Sequence, residues 1–249
     1  TENITQGAQN VELMNMTDTN IGCLHDYTLV TSDMKKIENA DIIIQNGLGL
    51  ENFMDKIFNT YSDIKIIDSS KNVTNKIEEN GEVNAHIWTS LSNYILQVEE
   101  IADALSKANP ENASTYASNK ENYISQLQEL QEKYNEELTN LNGRKAICLN
   151  EALTYLASEV GLEITSVETD HEESSLSAEM MKELIDKMNS ENINIILVDS
   201  EDNLRNAETL ATETGAEIYK LNSGLTGSMN ANAYINAMNE NLVQFKQMQ

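Results

Sequence analysis

Only three histidines and a single tryptophan occur in the 249 residues, and one of each falls in the run Asn84-Ala85-His86-Ile87-Trp88. Imidazole nitrogen is the commonest protein ligand for a transition metal, and a large aromatic two positions on offers a rigid base for it. A packed turn with no ligand accounts for the same five residues. The balance shifts with the other polar residues that fall at strand or helix ends: His25, Asn150 with Glu151, and Asn222. Together with His86 they give one candidate per half-lobe, as a four-ligand cation site requires. Asp170, His171, Asp199 and Glu201 sit after further predicted strands and are reserve candidates.

Each of these residues also has a plain structural reading. Asn150 is a good N-cap for a helix starting at Glu151, Asn222-Ser223-Gly224 is ordinary turn chemistry, and His171 reads as a solvated loop residue. The segment beginning at His171 continues Glu-Glu-Ser-Ser and lacks the HExxH spacing of zinc proteases. Asn46-Gly47-Leu48-Gly49 lacks the third glycine of a dinucleotide fingerprint and reads as a strand-to-helix turn. Cys23 and Cys148 match no CxxC spacing and are compatible with one disulfide, two buried thiols or soft ligands.

The elements that must position these residues alternate. Asn10 to Met14 suits a strand by its polar and apolar alternation. Ser32 caps a short helix to Asn39, the β-branched run Asp41 to Gln45 reads as a buried parallel strand, a helix runs to about Thr60, and Ile64 to Asp68 is a second buried strand. Ser69 to Glu82 is a loop or broken helix. A helix over Leu91 to Ala108 follows, and Pro110 opens another, with Tyr116, Tyr123, Leu127, Leu130, Tyr134, Leu138 and Leu141 holding one apolar stripe for about 30 residues. Strands at Lys145–Leu149, Glu163–Val167, Ile193–Val198 and Glu217–Leu221 then alternate with helices at 151–160, 177–189, 204–214 and 231–249. The pattern predicts an α/β fold: two βα lobes with parallel sheets joined by a long rigid interlobe helix, with a ligand cleft between the lobes. The lobes cover residues 1–109 and 143–249, and the helix covers 110–142.

With 16 basic against 41 acidic residues, the formal charge of −25 disfavours nucleic acid and anionic lipid and favours cations. No apolar run is long enough to span a membrane, and the N-terminus carries no signal segment, so the chain as given reads as cytosolic or processed.

Four motifs in register extend this reading. They are Gly22-Cys23-Leu24-His25-Asp26-Tyr27; Ala40-Asp41-Ile42 leading to Asn46-Gly47-Leu48-Gly49-Leu50-Glu51; Asn84-Ala85-His86-Ile87-Trp88; and Glu208-Thr209-Leu210-Ala211-Thr212-Glu213-Thr214-Gly215-Ala216. Over nearly the whole chain the sequence resembles the zinc and manganese solute-binding proteins of bacterial ABC importers. The resemblance implies a binding protein rather than an enzyme, exported and lipid-anchored to the cell membrane through a segment ahead of this chain, monomeric, and handing a divalent metal to a membrane permease. It also implies a strand and most of a helix ahead of residue 1.

The family's four ligands fall on His25, His86, Asn150 and Asn222. The last two are a histidine or glutamate and an aspartate in the family, so this chain carries amides where charge or imidazole is expected. The cargo implied is Zn2+, with Mn2+ as the alternative. Two imidazoles and two neutral amides weaken binding unless Glu151 or a reserve carboxylate turns in. An altered site serving adhesion, interaction or another solute is the second reading. A hydrolase with an open zinc position is the third, and no nucleophile and base pair supports it.

Overall fold

The computed structural model describes residues 1–17, 27–61, 63–79, 81–166, 176–199, 204–225 and 227–249. His25, Cys23, Asp170, His171 and Glu201 lie outside the described residues. The chain divides into two compact units. The first holds Thr1–Trp88, Ser92–Glu129 and Gly227–Ala231; the second holds Thr89–Leu91, Leu130–Thr226 and Asn232–Gln249.

In the first unit α1 (Glu2–Thr5) precedes α2 (Thr31–Glu38), β1 (Ile42–Gln45), α3 (Asp55–Thr60) and β2 (Lys65–Asp68). β1 and β2 pair in parallel from Ile42↔Lys65 to Gln45↔Asp68. Parallel pairing needs a crossover, and α3 with the turn before it supplies one. The sequence predicts fully buried strands here, yet β1 is only half-buried along its length and Ile66 is exposed. Among the described residues each strand has a single neighbour, which leaves one edge unpaired.

The strand expected over Asn10–Met14 does not form. These residues run without regular structure, and Val11, Leu13 and Met14 remain exposed. Alternation makes a strand only where a sheet edge accepts it. The helix predicted to be capped by Ser32 begins instead at Thr31, and its cap comes from within: the Asp33 carboxylate accepts the Val30 amide at 3.0 Å.

The loop expected between Ser69 and Glu82 contains a short antiparallel hairpin, β3 (Glu78–Glu79) with β4 (Glu82–Val83). Asn84 closes it by donating its amide to the Ile77 carbonyl at 2.9 Å. α4 (Leu91–Ala108) matches its predicted bounds, and α5 (Ala113–Glu137) follows a turn of 3-10 helix opened by Pro110. Its 25 residues extend for about 37 Å. Tyr116, Tyr123, Leu127, Leu130 and Tyr134 are all buried along it, as the apolar stripe requires.

The second unit is built on four parallel strands: β5 (Lys145–Cys148), β6 (Glu163–Ser166), β7 (Ile195–Asp199) and β8 (Glu217–Leu221). Their order across the sheet is β6-β5-β7-β8. α6 (Thr154–Glu159), α7 (Ala178–Glu191), α8 (Arg205–Thr214) and α9 (Ala233–Gln247) complete it. β7 is buried at every position, and Ile147, Ile196 and Val198 pack with Leu184, Met188 and Leu210 from α7 and α8. Apolar runs of this kind form interior strands because helices cover both faces of a parallel sheet. Tyr134 joins this unit through its hydroxyl, which donates to the Met238 carbonyl at 2.6 Å, and through an edge-on contact with Phe245.

Candidate metal centre

The hairpin β3–β4 delivers the chain into Asn84-Ala85-His86, where both Asn84 and His86 are buried. The Asn84 side-chain oxygen lies 2.9 Å from the His86 amide nitrogen and 2.9 Å from His86 Nδ1. A backbone N–H can only donate, so that atom of Asn84 is an acceptor, and Nδ1 must carry the ring proton. That tautomer makes Nε2 the nitrogen through which the ring would take a cation. A metal-binding histidine needs this tautomer, fixed by an acceptor behind it. The Trp88 ring lies 5.1 Å from the imidazole, centroid to centroid, tilted by 51°.

The loop carrying His86 rests on polar groups at the end of β1. Asn46 donates its side-chain amide to the Ala85 carbonyl at 2.9 Å and to the Gly47 carbonyl at 3.1 Å. Its own backbone is held by Glu51, whose two carboxylate oxygens accept the Asn46 amide at 2.7 Å and the Gly47 amide at 3.0 Å. Burial pushes the Glu51 carboxyl above its ordinary range, with the charge of Asp68 adding to it, and the two amide donors offset part of that cost. Gly47 has φ +89°, and a Cβ there would lie 2.1 Å from an Asp68 oxygen, so only glycine fits.

Immediately after the undescribed segment that contains His25, the chain is anchored at Tyr27. Its hydroxyl donates to Asp33 at 2.7 Å and its ring meets Phe53 edge-on at 5.5 Å. Burial raises the pKa of Asp33, but Tyr27, the Val30 amide and Lys36 together outweigh it and hold the carboxyl below the usual range.

In the second unit the sheet order reverses direction between β5 and β7, and in parallel α/β sheets ligands bind beyond the strand C-termini at such a switch point. Asn150 follows β5 there, Asp199 ends β7 and is buried, and Asn222 follows β8. The side-chain oxygens of both asparagines have local duties. Asn150 Oδ1 accepts the Ala152 amide at 2.9 Å as an N-cap. Asn222 Oδ1 accepts the Gly224 amide at 2.8 Å in a turn, and Asn241 brackets the Asn222 backbone at 2.7 and 2.9 Å. An amide oxygen has a second lone pair, so the turn bond of Asn222 does not by itself close that residue to a cation. Glu151 is half-buried in the first turn beside Asn150. The Cys148 thiol is buried and donates to the Asn150 carbonyl at 3.0 Å. Among the described residues no three His, Cys, Asp or Glu side chains cluster as a metal-holding group.

The family described as zinc-uptake complex component A, periplasmic, matches residues 1–248. The chain belongs to that family. Among relatives of this zinc-uptake family, the manganese-binding lipoprotein MntA of Halalkalibacterium halodurans is 27% identical, covering 89% of this chain and 76% of its own length. The zinc-binding protein AdcA of Streptococcus pyogenes is 29% identical over 81% of this chain but 44% of its own length. FpvC of Pseudomonas aeruginosa, solved in complex with Mn2+, superimposes with a TM-score of 0.87 at 26% identity, covering 99% of this chain and 92% of its own. The family members named here are binding proteins of metal importers, not enzymes. Among the described residues no helix is long and apolar enough to cross a membrane.

Sequence reasoning passed over Asn46, Glu51 and Gln97 as supports of the His86 loop. Their signal was present in part. Gln97 sits in the buried stripe of α4 with Leu91, Ile95, Val98 and Ala102, where an amide calls for a partner.

Proposed function

We propose that this chain is an extracytoplasmic solute-binding protein that captures a divalent transition metal and passes it to the permease of an ABC importer. Zn2+ is the favoured cargo and Mn2+ the alternative. The organisation proposed is a lobe over residues 1–109, the long helix over 110–142 and a second lobe over 143–249, acting as a monomer. The ion is proposed to be held by His25, His86, Asn150 and Asn222, with Glu151 supplying the charge that the two amides lack. A segment outside this chain is proposed to anchor the protein to the cell membrane.

The observation that supports this reading best is His86, buried, with its Nδ1 proton committed to Asn84. Imidazole suits Zn2+ better than Mn2+, which prefers oxygen donors. The test is metal analysis of the purified protein, then calorimetric titration of the apo form with Zn2+ and with Mn2+. At a free metal concentration 100-fold above Kd, binding adds about 2.7 kcal/mol to the folded state. An unfolding midpoint that moves with neither metal, or a shift that persists undiminished in His86→Ala, overturns the proposal.

A second reading, an altered site with another solute or an adhesion role, draws on the capping and turn bonds of Asn150 and Asn222. On that reading Asn150→His with Asn222→Asp creates tight Zn2+ binding where the natural protein has little. Equal affinity in the two proteins removes it.

A further inference from the structure

The support beneath His86 is a directional chain of amides. The Ala85 carbonyl can only accept, so the Asn46 atom 2.9 Å from it is Nδ2. Asn46 Oδ1 therefore faces Gln97, which donates Nε2 to it at 2.9 Å. The second hydrogen on that nitrogen goes to Ser69 Oγ at 2.8 Å, and the Ser69 hydroxyl donates in turn to the Asn46 backbone carbonyl at 3.2 Å. One branch of this chain ends on the Ala85 carbonyl, which also accepts the Ile87 amide at 2.8 Å, and the other ends on the Asn46 carbonyl. The residue between Ala85 and Ile87 is His86.

This orientation has a cost that reveals what it serves. With both hydrogens of its amide spent, Gln97 is left with Oε1 buried and without a hydrogen-bond partner. Gln97 is only 5% exposed. A buried acceptor with no donor disfavours folding, and an apolar side chain of the same shape would avoid it. The replacement takes the Gln97 donor from Asn46 Oδ1 in exchange, so on stability alone the glutamine holds no clear advantage.

We propose that Asn46 and Gln97 are positioning residues for His86: Gln97 orients Asn46, Asn46 fixes the Ala85 carbonyl, and the ring is thereby held on its metal. The proposal rests on the metal-capture reading above. It places part of the control of affinity on the β1 end and on α4, outside the residues that touch the ion.

The variant Gln97→Met removes the amide at nearly constant volume. In the full chain, three quantities are measured: the unfolding midpoint of the apo form, the Kd for Zn2+ by calorimetry, and hydrogen exchange of the His86 amide. The expected result is an apo midpoint close to the natural protein's, Zn2+ bound about 10-fold more weakly, as when a ligand's outer support is removed, and faster exchange at His86 with β7 unaffected. Zn2+ affinity within twofold of the natural protein, with His86 exchange unchanged, overturns the proposal. So does a loss of affinity accompanied by a matching fall in the apo midpoint, which marks a merely structural role. If the natural protein takes up neither Zn2+ nor Mn2+, the functional reading fails by itself. The exchange rate at His86 then decides the positioning role, unaltered exchange overturning it and faster exchange upholding it.

Discussion

Asn84 is the residue on which the chemistry of His86 turns. One side-chain oxygen accepts both the His86 amide and the His86 ring N–H, each at 2.9 Å, in a buried setting. Asn84→Ala leaves two donors without that acceptor. Each unsatisfied buried group costs about 1–3 kcal/mol, so with two such donors the apo protein should lose roughly 2–6 kcal/mol. For a chain of this size that is a fall of roughly 4–24 °C in the unfolding midpoint. The ring loses the acceptor that fixes its tautomer, and Zn2+ affinity should drop by about 10–100-fold.

Asn84→Asp behaves differently. It keeps an oxygen acceptor for both donors and adds a negative charge behind the ring, which makes Nε2 more basic. At neutral pH it should bind Zn2+ more tightly than the natural protein. Because the same charge raises the imidazole pKa, protons compete for Nε2 at a higher pH than before, and the gain vanishes as pH falls through that pKa. Calorimetry of both variants and long-range 1H–15N spectra of the apo ring provide the assays. An apo ring protonated at Nε2, or an Asn84→Ala protein that binds as tightly as the parent, refutes this reasoning.

Further predictions concern the scaffold. Gly47→Ala meets both a positive φ and a Cβ position 2.1 Å from Asp68, whereas a Cβ on Gly49, at φ +86°, finds its nearest atom at 3.4 Å. Backbone strain alone costs about 1–2 kcal/mol, so chemical denaturation should find Gly47→Ala clearly less stable than Gly49→Ala; equal losses count against the packing described at β1. Asp33 has a folded pKa below its unfolded one, so its contribution is present above the unfolded value of about 3.9 and is lost as pH falls through the folded value. Asn in its place should flatten the stability profile in that acid window and leave it parallel above pH 6; a profile identical to the parent's at low pH removes Asp33 from the account.

Most of the element order could be read directly from sequence because the signals were local. The long stripe of α5 and the β-branched runs of β1 and β7 depend only on residues within a few positions of one another. What escaped depended on distant partners. Val11, Leu13 and Met14 alternate as a strand does, but a strand exists only where another strand accepts it, and no local pattern reports that edge. The hairpin β3–β4 is two residues on each side, too short for period two to register.

The candidate ligands were placed by motif, and their supports were not, for the same reason. Glu51 turns back on amides four and five positions earlier, but Asn46 and Gln97 are separated by 51 residues. The structural readings of Asn150 as a cap and Asn222 as a turn residue correspond to hydrogen bonds in the structure.

An acidic surface concentrates cations, but the charge of −25 does not make good the neutral amides at Asn150 and Asn222. Distance is the reason. At physiological ionic strength the Debye length is about 8 Å, so exposed carboxylates on remote helices are screened from an ion held in a site. A carboxylate in direct contact is not. The acidic surface therefore speeds encounter and leaves the bound state to its immediate donors. A cation at the β5 and β7 ends finds two carboxylates on the adjoining chain, Glu151 and the buried Asp199. Glu151, in the turn capped by Asn150, is the proposed source, and Asp199 is the reserve. Asp199 stands at the end of a fully buried strand, where its position is fixed, whereas Glu151 has a longer side chain in a 3-10 turn and gives up rotamer freedom to reach an ion.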